Sequence, residues 1–330
     1  MVAAPAPHAV AELIALDWGT SSLRAYLLGA GGTVLERRAE SLGILHVRDR
    51  DFSAAYERIA GDWRRARPDL PALACGMIGS AHGWREAPYV PAPAGADEVA
   101  RALVDAPADG LRIVPGVVQR GAHPDVMRGE ETQVIGALAQ HPKLARGALI
   151  VLPGTHSKWV RVVAARVETF TTYVTGELFS LLREQSTLGR LALERPDASR
   201  SERAAAFAEG VRRAREAGHE GGLASLLFGV RAGALVGDLP TGASVDYLSG
   251  LLLGDELRSG LAAAGPPDAL AGDPTLCARY ADALAHFGVA GVPMLGDPAP
   301  AGLWTIAEHA SSDAQRRRGG SRNPVSARVE

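Results

Sequence analysis

The chain has 330 residues, 47% of them apolar, and a formal net charge of -2. That is enough apolar material for two domains with cores of their own, and the near-neutral balance gives no electrostatic reason to expect a nucleic acid or an anionic membrane as partner. Only two cysteines occur, Cys75 and Cys277, and no apolar run reaches the ~20 residues that span a bilayer, which argues against a disulfide framework, a cysteine metal site and a membrane helix.

The opening MVAAPAPHAVAE lacks a basic segment followed by an apolar core, so residues 1–12 read as a loose arm rather than a secretory leader. The cysteines read as small buried apolar residues of a reducing compartment, and the cytoplasm is the expected location.

Leu13–Leu16 is an apolar run that ends in Asp17 and a Gly-Thr-Ser-Ser turn. A second run, Leu23–Leu28, leads to Gly31-Gly32 and then to Thr33–Arg37, a pattern of strand, turn, strand, turn, strand. Asp51–Arg65 places Phe52, Ala55, Ile59 and Trp63 at helical spacing, and Pro68 stops it. Leu73–Cys75 is a short buried strand before Gly76-Met77-Ile78-Gly79-Ser80, and Pro88–Pro93 is extended. Asp97–Val104 reads as helix, Leu111–Val118 as strand and Glu130–Gln140 as helix.

Ala148–Leu152 is again an apolar strand ending in a turn, Pro153-Gly154-Thr155-His156-Ser157, with strands expected over Trp159–Val163 and Arg166–Phe170. The same pattern thus occurs twice, about 135 residues apart. It predicts an α/β chain of two related domains, 13–147 and 148–310, facing each other across a cleft. The second carries a helical insertion: Gly176–Glu184, Ser199–Ala217, Gly222–Val236 and Ser244–Ala263. The pattern closes with a strand at Ala269–Ala271, a helix at Thr275–Phe287, a strand at Val292–Leu295 and a helix at Ala299–Ala310. Residues 311–330, polar and basic with an Arg316-Arg317-Arg318 run, read as a disordered, solvated tail.

The two turns carry the chemistry. A carboxylate at a strand end beside Gly19, Thr20, Ser21 and Ser22 suits Mg2+ held through its waters, because magnesium keeps most of its waters and takes one or two carboxylates. Successive turn N–H groups form an anion-binding concavity. The same residues also suit a plain hairpin. The recurrence at Gly154, Thr155, His156, Ser157 and Lys158 favours a nucleotide phosphate chain, with Lys158 either adding charge there or standing solvated on a strand. No Gly-x-x-x-x-Gly-Lys-Ser/Thr and no Gly-x-Gly-x-x-Gly occurs, so neither a P-loop nor a dinucleotide fingerprint is present.

The paired turns resemble the phosphate loops of the actin/hexokinase superfamily. More closely, LDWGTSSLRAYLL, CGMIGSAHGWREAPYVPAPA, VPGVVQRGAHPDVMRGEETQVIGAL, LPGTHSKWV and TYVTGELFSLLREQSTLGR resemble the 2-dehydro-3-deoxygalactonokinase family, over roughly residues 13–310. The resemblance implies two ribonuclease H-like domains, ATP with Mg2+, and phosphoryl transfer to the 6-hydroxyl of a 2-keto-3-deoxy sugar acid. By analogy with sugar kinases and exopolyphosphatases of the superfamily, it implies a catalytic base at Glu130, with Glu131 second and Asp125 third. Acidic residues equally suit the first turn of any helix.

A guanidinium grips a carboxylate with two parallel hydrogen bonds, so Arg24, Arg85 and Arg128 are candidates for the sugar acid's carboxylate. Gly79, Ser80 and Trp84 belong to a loop suited to shaping a sugar pocket. The adenine end is expected near Ser249–Glu256 and Leu270–Pro274, with Gly272 the better position, while Gly250 and Gly254 also suit close helix packing. Two other readings use the same residues: a phosphohydrolase of the exopolyphosphatase kind, and a non-catalytic sugar or nucleotide sensor. Partners are expected to be a sugar acid and ATP, with no nucleic acid and no membrane; a homo-oligomer is compatible with the composition.

Overall fold

The computed structural model describes residues 10–217 and 222–320; most of the expected arm, and the tail beyond residue 320, lie outside the described residues. The chain divides into two compact units. One takes residues up to 147, 162–169 and those from 298 onward; the other takes 148–161 and 170–297.

The first unit begins with β1 (Ala11–Trp18), β2 (Leu23–Gly29) and β3 (Val34–Glu40). They pair antiparallel, with Asp17 opposite Arg24. The Gly31-Gly32 turn between β2 and β3 needs its glycines, whose φ values are 66° and 74°. Helix α1 (Phe52–Ala66) is capped by Asp51, whose carboxylate accepts from Ala54 N at 2.9 Å. Phe52, Ala55, Ile59 and Trp63 face a core shared with Ile14, Leu16, Trp18 and Leu23.

β4 (Ala72–Cys75) lies parallel to β1, with Cys75 opposite Asp17. The chain continues through β5 (Tyr89–Pro91), α2 (Ala96–Arg101), β6 (Val104–Asp105), β7 (Leu111–Ile113), β8 (Gly116–Gln119), β9 (Asp125–Met127) and α3 (Glu130–Gln140). The main sheet has the order β3-β2-β1-β4-β7-β6, and β5-β8-β9 form a small second sheet. The single strand expected over Leu111–Val118 is therefore two strands in different sheets. Pro115, which has no N–H to give a ladder, stands at the break.

The second unit repeats the plan. β10 (Gly147–Leu152), β11 (Ser157–Val163) and β12 (Arg166–Tyr173), apart from residues 147 and 162–169 that group with the first unit, join β13 (Ala269–Leu270) in the order β12-β11-β10-β13, with β10 and β13 parallel. In both units the first three strands run third, second, first, and a parallel strand follows on the far side, the order of a ribonuclease H-like unit. The strand expected at Val292–Leu295 is only a single bridge between Met294 and Leu270.

Helices α4 (Thr175–Gln185), α5 (Thr187–Glu194), α6 (Arg200–Glu216), α7 (Gly222–Val236), α8 (Ser244–Ala264) and α9 (Pro274–Ala285) complete this unit. α6 and α8 touch backbone to backbone: a Cβ on Gly250 would lie 2.2 Å from Phe207 O, and one on Gly254 would lie 2.8 Å from the Ala214 Cβ. These two glycines are helix-packing residues.

The last helix, α10 (Ala299–Gly320), belongs to the first unit, not to the second as the sequence reading had it. Its contact with α3 gives the reason. A Cβ on Gly302 would lie 1.9 Å from Thr132 O, and one on Gly136 would lie 2.0 Å from Pro298 O. The helix also runs ten residues past Ala310, so residues 311–320 are helical rather than a disordered tail.

Candidate active site

In the first unit, three chain segments meet at the ends of β1 and β4. Asp17 stands at the end of β1 with its side chain 18% exposed, and Arg24 Nη1 approaches its Oδ2 at 3.4 Å. Cys75 Sγ lies 3.9 Å from Oδ1. The next residue, Gly76, has φ 90°, and a Cβ there would lie 2.8 Å from Trp18 O and 3.5 Å from Asp17 Oδ1. Gly129, with φ 109°, has room for a Cβ only 3.2 Å from Gly76 Cα. Two glycines in the left-handed region thus bring the start of α3 against the Asp17 strand end.

The two glutamates at that helix start have different surroundings. Glu130 is partly exposed, and its Oε2 accepts from Arg128 N at 2.9 Å. Glu131 is 1% exposed; its Oε2 accepts from Gly129 N at 2.7 Å and its Oε1 from Thr132 Oγ1 at 2.9 Å. Burial, and next the neighbouring Glu130 charge, push the Glu131 carboxyl up to about 7. Only Glu130 has a face available to a ligand. Asp125 is on β9 and pairs with Gln119 in the small sheet.

The raised Glu131 value has a stability consequence. A carboxyl whose folded value lies above its unfolded one contributes stability below the unfolded value, and loses it as pH rises through the folded one. A rise from 4.5 to about 7 corresponds to roughly 3 kcal/mol. Glu131→Gln, which mimics the protonated form, is expected to match wild-type melting near pH 4, to exceed it increasingly between about pH 4.5 and 7, and to keep a nearly constant margin above that. Parallel melting curves of the two proteins across that range would remove the shift.

The first turn is shaped by a segment the sequence reading did not single out. Ile44 N donates to Gly19 O at 3.0 Å and Leu45 N to Thr20 O at 3.2 Å, while His46 Nδ1 lies 3.1 Å from Ser21 O. Trp18 Nε1 donates to Leu42 O at 2.8 Å, so this tryptophan is a core residue and not a pocket wall. In a trans peptide the N–H points opposite its C=O. With the carbonyls of Gly19, Thr20 and Ser21 turned to Leu42–His46, the N–H groups of Thr20, Ser21 and Ser22 point the other way, as an anion cradle requires. A Cβ on Gly43 would lie 2.3 Å from Ser21 backbone atoms and Thr20 O. Gly43→Ala is therefore expected to cost about 1–3 kcal/mol of stability and to raise the KM for a phosphate-bearing ligand. Unchanged melting and KM would show the brace to be dispensable.

The candidate substrate residues separate. Trp84 is half-buried among Trp18, Phe52 and Tyr56, with centroids 6.1–6.4 Å away, so it is chiefly a packing residue. The Ser80 hydroxyl donates to Met77 O at 2.7 Å and closes a turn. Arg85 is exposed. Arg128 is 9% exposed, donates from Nη2 to Ala87 O at 2.8 Å and stacks 4.3 Å over the Tyr89 ring. Among the described residues its Nε and Nη1 are buried without a hydrogen-bond partner. Gly79 leaves room there: a Cβ on it would lie 2.9 Å from Nη1.

In the second unit, the turn Gly154–His156 is backed by α4. Glu177 N donates to Thr155 O at 2.9 Å, and His156 Nε2 meets Glu177 Oε2 at 2.6 Å. A Cβ on Gly176 would lie 2.4 Å from Gly154 O. Thr155 and His156 are exposed, whereas Ser157 is fully buried and its Oγ bonds Tyr280 OH at 2.5 Å. The Ser157 hydroxyl is thus part of the core side of the turn, against the expectation that it would meet phosphate. Lys158 is 5% exposed with Nζ donating to Thr172 Oγ1 at 2.7 Å, which rules out the solvated-strand reading.

Beside the turn lies a cavity of about 510 Å³ lined by Gly154, Arg203, Asp246, Ser249, Leu253 and Arg279, among others. Asp246 approaches Arg203 at 3.5 Å and Arg279 at 3.3 Å; Arg279 also donates to Ser249 Oγ at 2.9 Å and stacks 4.1 Å over Phe207. Gly272 does not line this cavity. It needs its φ of 126° at the end of β13, donates to Gly296 O at 2.7 Å, and has Pro153 O 3.8 Å from where a Cβ would be. Neither the brace over Leu42–His46 nor the arginines of the cavity carried a signal in the sequence, because both act through tertiary neighbours.

Among the described residues no group of three or more His, Cys, Asp or Glu side chains could hold a metal ion, and no helix is long and apolar enough to cross a membrane.

The family model for 2-keto-3-deoxy-galactonokinase matches residues 17–306. The chain is 36% identical over 301 residues to a 2-dehydro-3-deoxygalactonokinase of Escherichia coli, spanning 90% of this chain and 98% of that protein. It is 39% identical over 283 residues to a Rhizobium meliloti protein provisionally given the same name, spanning 83% and 89%. A crystal structure from Sinorhizobium meliloti, provisionally named for that kinase too, superposes with a TM-score of 0.78 at 36% identity, over 91% of this chain and 99% of that one. The activator of 2-hydroxyisocaproyl-CoA dehydratase from Clostridium difficile, solved with ADPNP, shares the fold alone: TM-score 0.50 and 14% identity, over 96% and 99%.

Proposed function

The chain belongs to the 2-keto-3-deoxy-galactonokinase family, and from that premise we propose that it phosphorylates the 6-hydroxyl of 2-dehydro-3-deoxygalactonate with ATP and Mg2+ in the cytoplasm. The observation that carries the site reading is the meeting of Asp17, Gly76 and Gly129 at one strand end, with Glu130 opening α3 directly after Gly129. That arrangement suits Asp17 as a metal carboxylate and Glu130 as a partly exposed base, from segments more than a hundred residues apart in sequence.

Phosphoryl transfer asks the protein for positioning and charge neutralisation more than for covalent chemistry. Glu130 accepts the proton of the sugar hydroxyl as its oxygen bonds the γ-phosphorus and the bond to the ADP oxygen breaks. The N–H groups of Thr20, Ser21 and Ser22, and the turn Gly154–His156 with Lys158, are suited to the phosphate oxygens. The cavity of the second unit has the size for adenosine, and its arginines suit stacking and polar contact. Magnesium fits the strand-end Asp17, since it retains most of its waters, and when bound it would supply neutralisation of phosphate charge.

Of the three arginines, Arg128 is the best carboxylate partner. A buried guanidinium with unmet N–H groups is costly unless a ligand completes it.

The test is ADP release from Mg-ATP with 2-dehydro-3-deoxygalactonate, its gluco epimer, glucose, or no sugar. Release that depends on the galacto sugar acid is the expected result. Release that ignores every sugar would instead indicate a phosphohydrolase, and none with any sugar would sink the kinase reading.

A further inference from the structure

A buried carboxylate stands behind the turn Gly154–His156. Glu256, on α8, is 2% exposed, and its Oε1 accepts from Trp159 Nε1 at 2.9 Å. Its Oε2 accepts from Tyr280 OH at 2.9 Å and from Thr175 Oγ1. Because the Tyr280 proton is committed to Glu256, Tyr280 must accept from the Ser157 hydroxyl, 2.5 Å away. The chain of bonds therefore runs in one direction, from Ser157 through Tyr280 to Glu256.

Each partner adjoins the turn. Ser157 and Trp159 follow it along β11. Thr175 opens α4 and its hydroxyl goes to Glu256, while Val174 occupies the cap position. The next two residues, Gly176 and Glu177, are those packed against Gly154 and Thr155. One carboxylate thus ties down both flanks of the turn.

Stability alone does not account for it. The groups that donate toward it, on Trp159, Thr175, Tyr280 and Ser157, are all neutral, and no cation pairs with Glu256 among the described residues. A buried carboxylate without a cation is often no better than a well-packed apolar side chain. What a fully satisfied buried network adds is a single fixed geometry.

We propose that Glu256 is a positioning residue for nucleotide binding, holding the turn Gly154–His156 in its phosphate-binding shape through Ser157, Tyr280, Trp159 and Thr175. The proposal rests on the reading of that turn as a phosphate loop. It is specific in what it excludes: Glu256 touches neither the base nor the sugar acid.

Glu256→Gln is nearly isosteric. Its carbonyl can still accept from Trp159, but its amide N–H2 faces Tyr280 and Thr175, so both hydroxyls must turn round and the Ser157–Tyr280 bond reverses. The full-length variant, and Ser157→Ala, which removes the first donor of the chain at a residue outside the cavity lining, would be titrated with a non-hydrolysable ATP analogue and separately with adenosine. KM would be measured for ATP and for the sugar acid.

The expected result is an ATP-analogue Kd and ATP KM raised about tenfold or more, adenosine Kd and sugar-acid KM within about twofold, and near-wild-type melting. The double variant should show no further loss, since both act on one chain of bonds. Equal weakening of adenosine and the ATP analogue would overturn the proposal, as would no weakening in the folded variants. If Glu256→Gln does not fold, Ser157→Ala alone decides. Wild-type protein that binds no ATP analogue would sink the kinase reading itself, whereas wild-type binding with unaffected variants sinks only the role of Glu256.

Discussion

Glu130→Gln is expected to lower kcat by about 10²- to 10⁴-fold, the usual worth of a positioned general base, with little change in KM or in melting. The structure explains why the fold should tolerate it. Glu130 is partly exposed at the first position of α3, and the bond from Arg128 N to its Oε2 at 2.9 Å can be kept by the glutamine carbonyl. The substitution therefore removes proton acceptance and little else. Glu131→Gln is the control. Its carboxyl is 1% exposed and spent on Gly129 N and Thr132 Oγ1, so its loss should change kcat only modestly. Steady-state kinetics on the two variants decide between the glutamates, and a larger loss at Glu131 would reverse the assignment.

Asp17→Asn should lower kcat on the order of 10²- to 10³-fold, the scale of losing one preorganised charge-stabilising group, and should raise the Mg2+ concentration needed for half-maximal rate. Stability should move far less. The Arg24–Asp17 pair, at 3.4 Å with side chains 32% and 18% exposed, is of the kind worth about 0–1 kcal/mol. The contrast is the diagnostic feature, because a structural aspartate would lose melting temperature first and rate only as a consequence. A variant with full turnover and an unchanged Mg2+ dependence would take Asp17 out of the mechanism.

Much of the site was legible because its signals are short-range. Asp17 followed by Gly-Thr-Ser-Ser, and Pro153-Gly-Thr-His-Ser after a second apolar run, are strand-to-turn patterns a few residues long, and the structure has turns at both. Glu130–Gln140 has the helix bounds expected of it. The helices α6, α7 and α8 fall within a residue or so of their expected ends, since apolar spacing is read within a few turns.

What stayed hidden depends on distant partners. Ser157 and Lys158 look like any exposed loop and strand residues in sequence, yet both are buried, and the partner of Ser157 is Tyr280, 123 residues away. Glu130 and Glu131 are adjacent carboxylates that composition cannot tell apart, and the packing of the α3 start beside Gly76 buries one and leaves the other partly open. α10 reads as the end of the second unit along the chain, but Gly136 and Gly302 let it lie against α3 of the first.

The sequence by itself determined most of the longer elements, the duplicated strand-and-turn plan and the family, since each rests on local periodicity or on motifs in order. Tertiary structure alone decided which carboxylate stays open, which hydroxyls turn inward and which glycines permit close approach, because burial is a property of neighbours brought together from far along the chain.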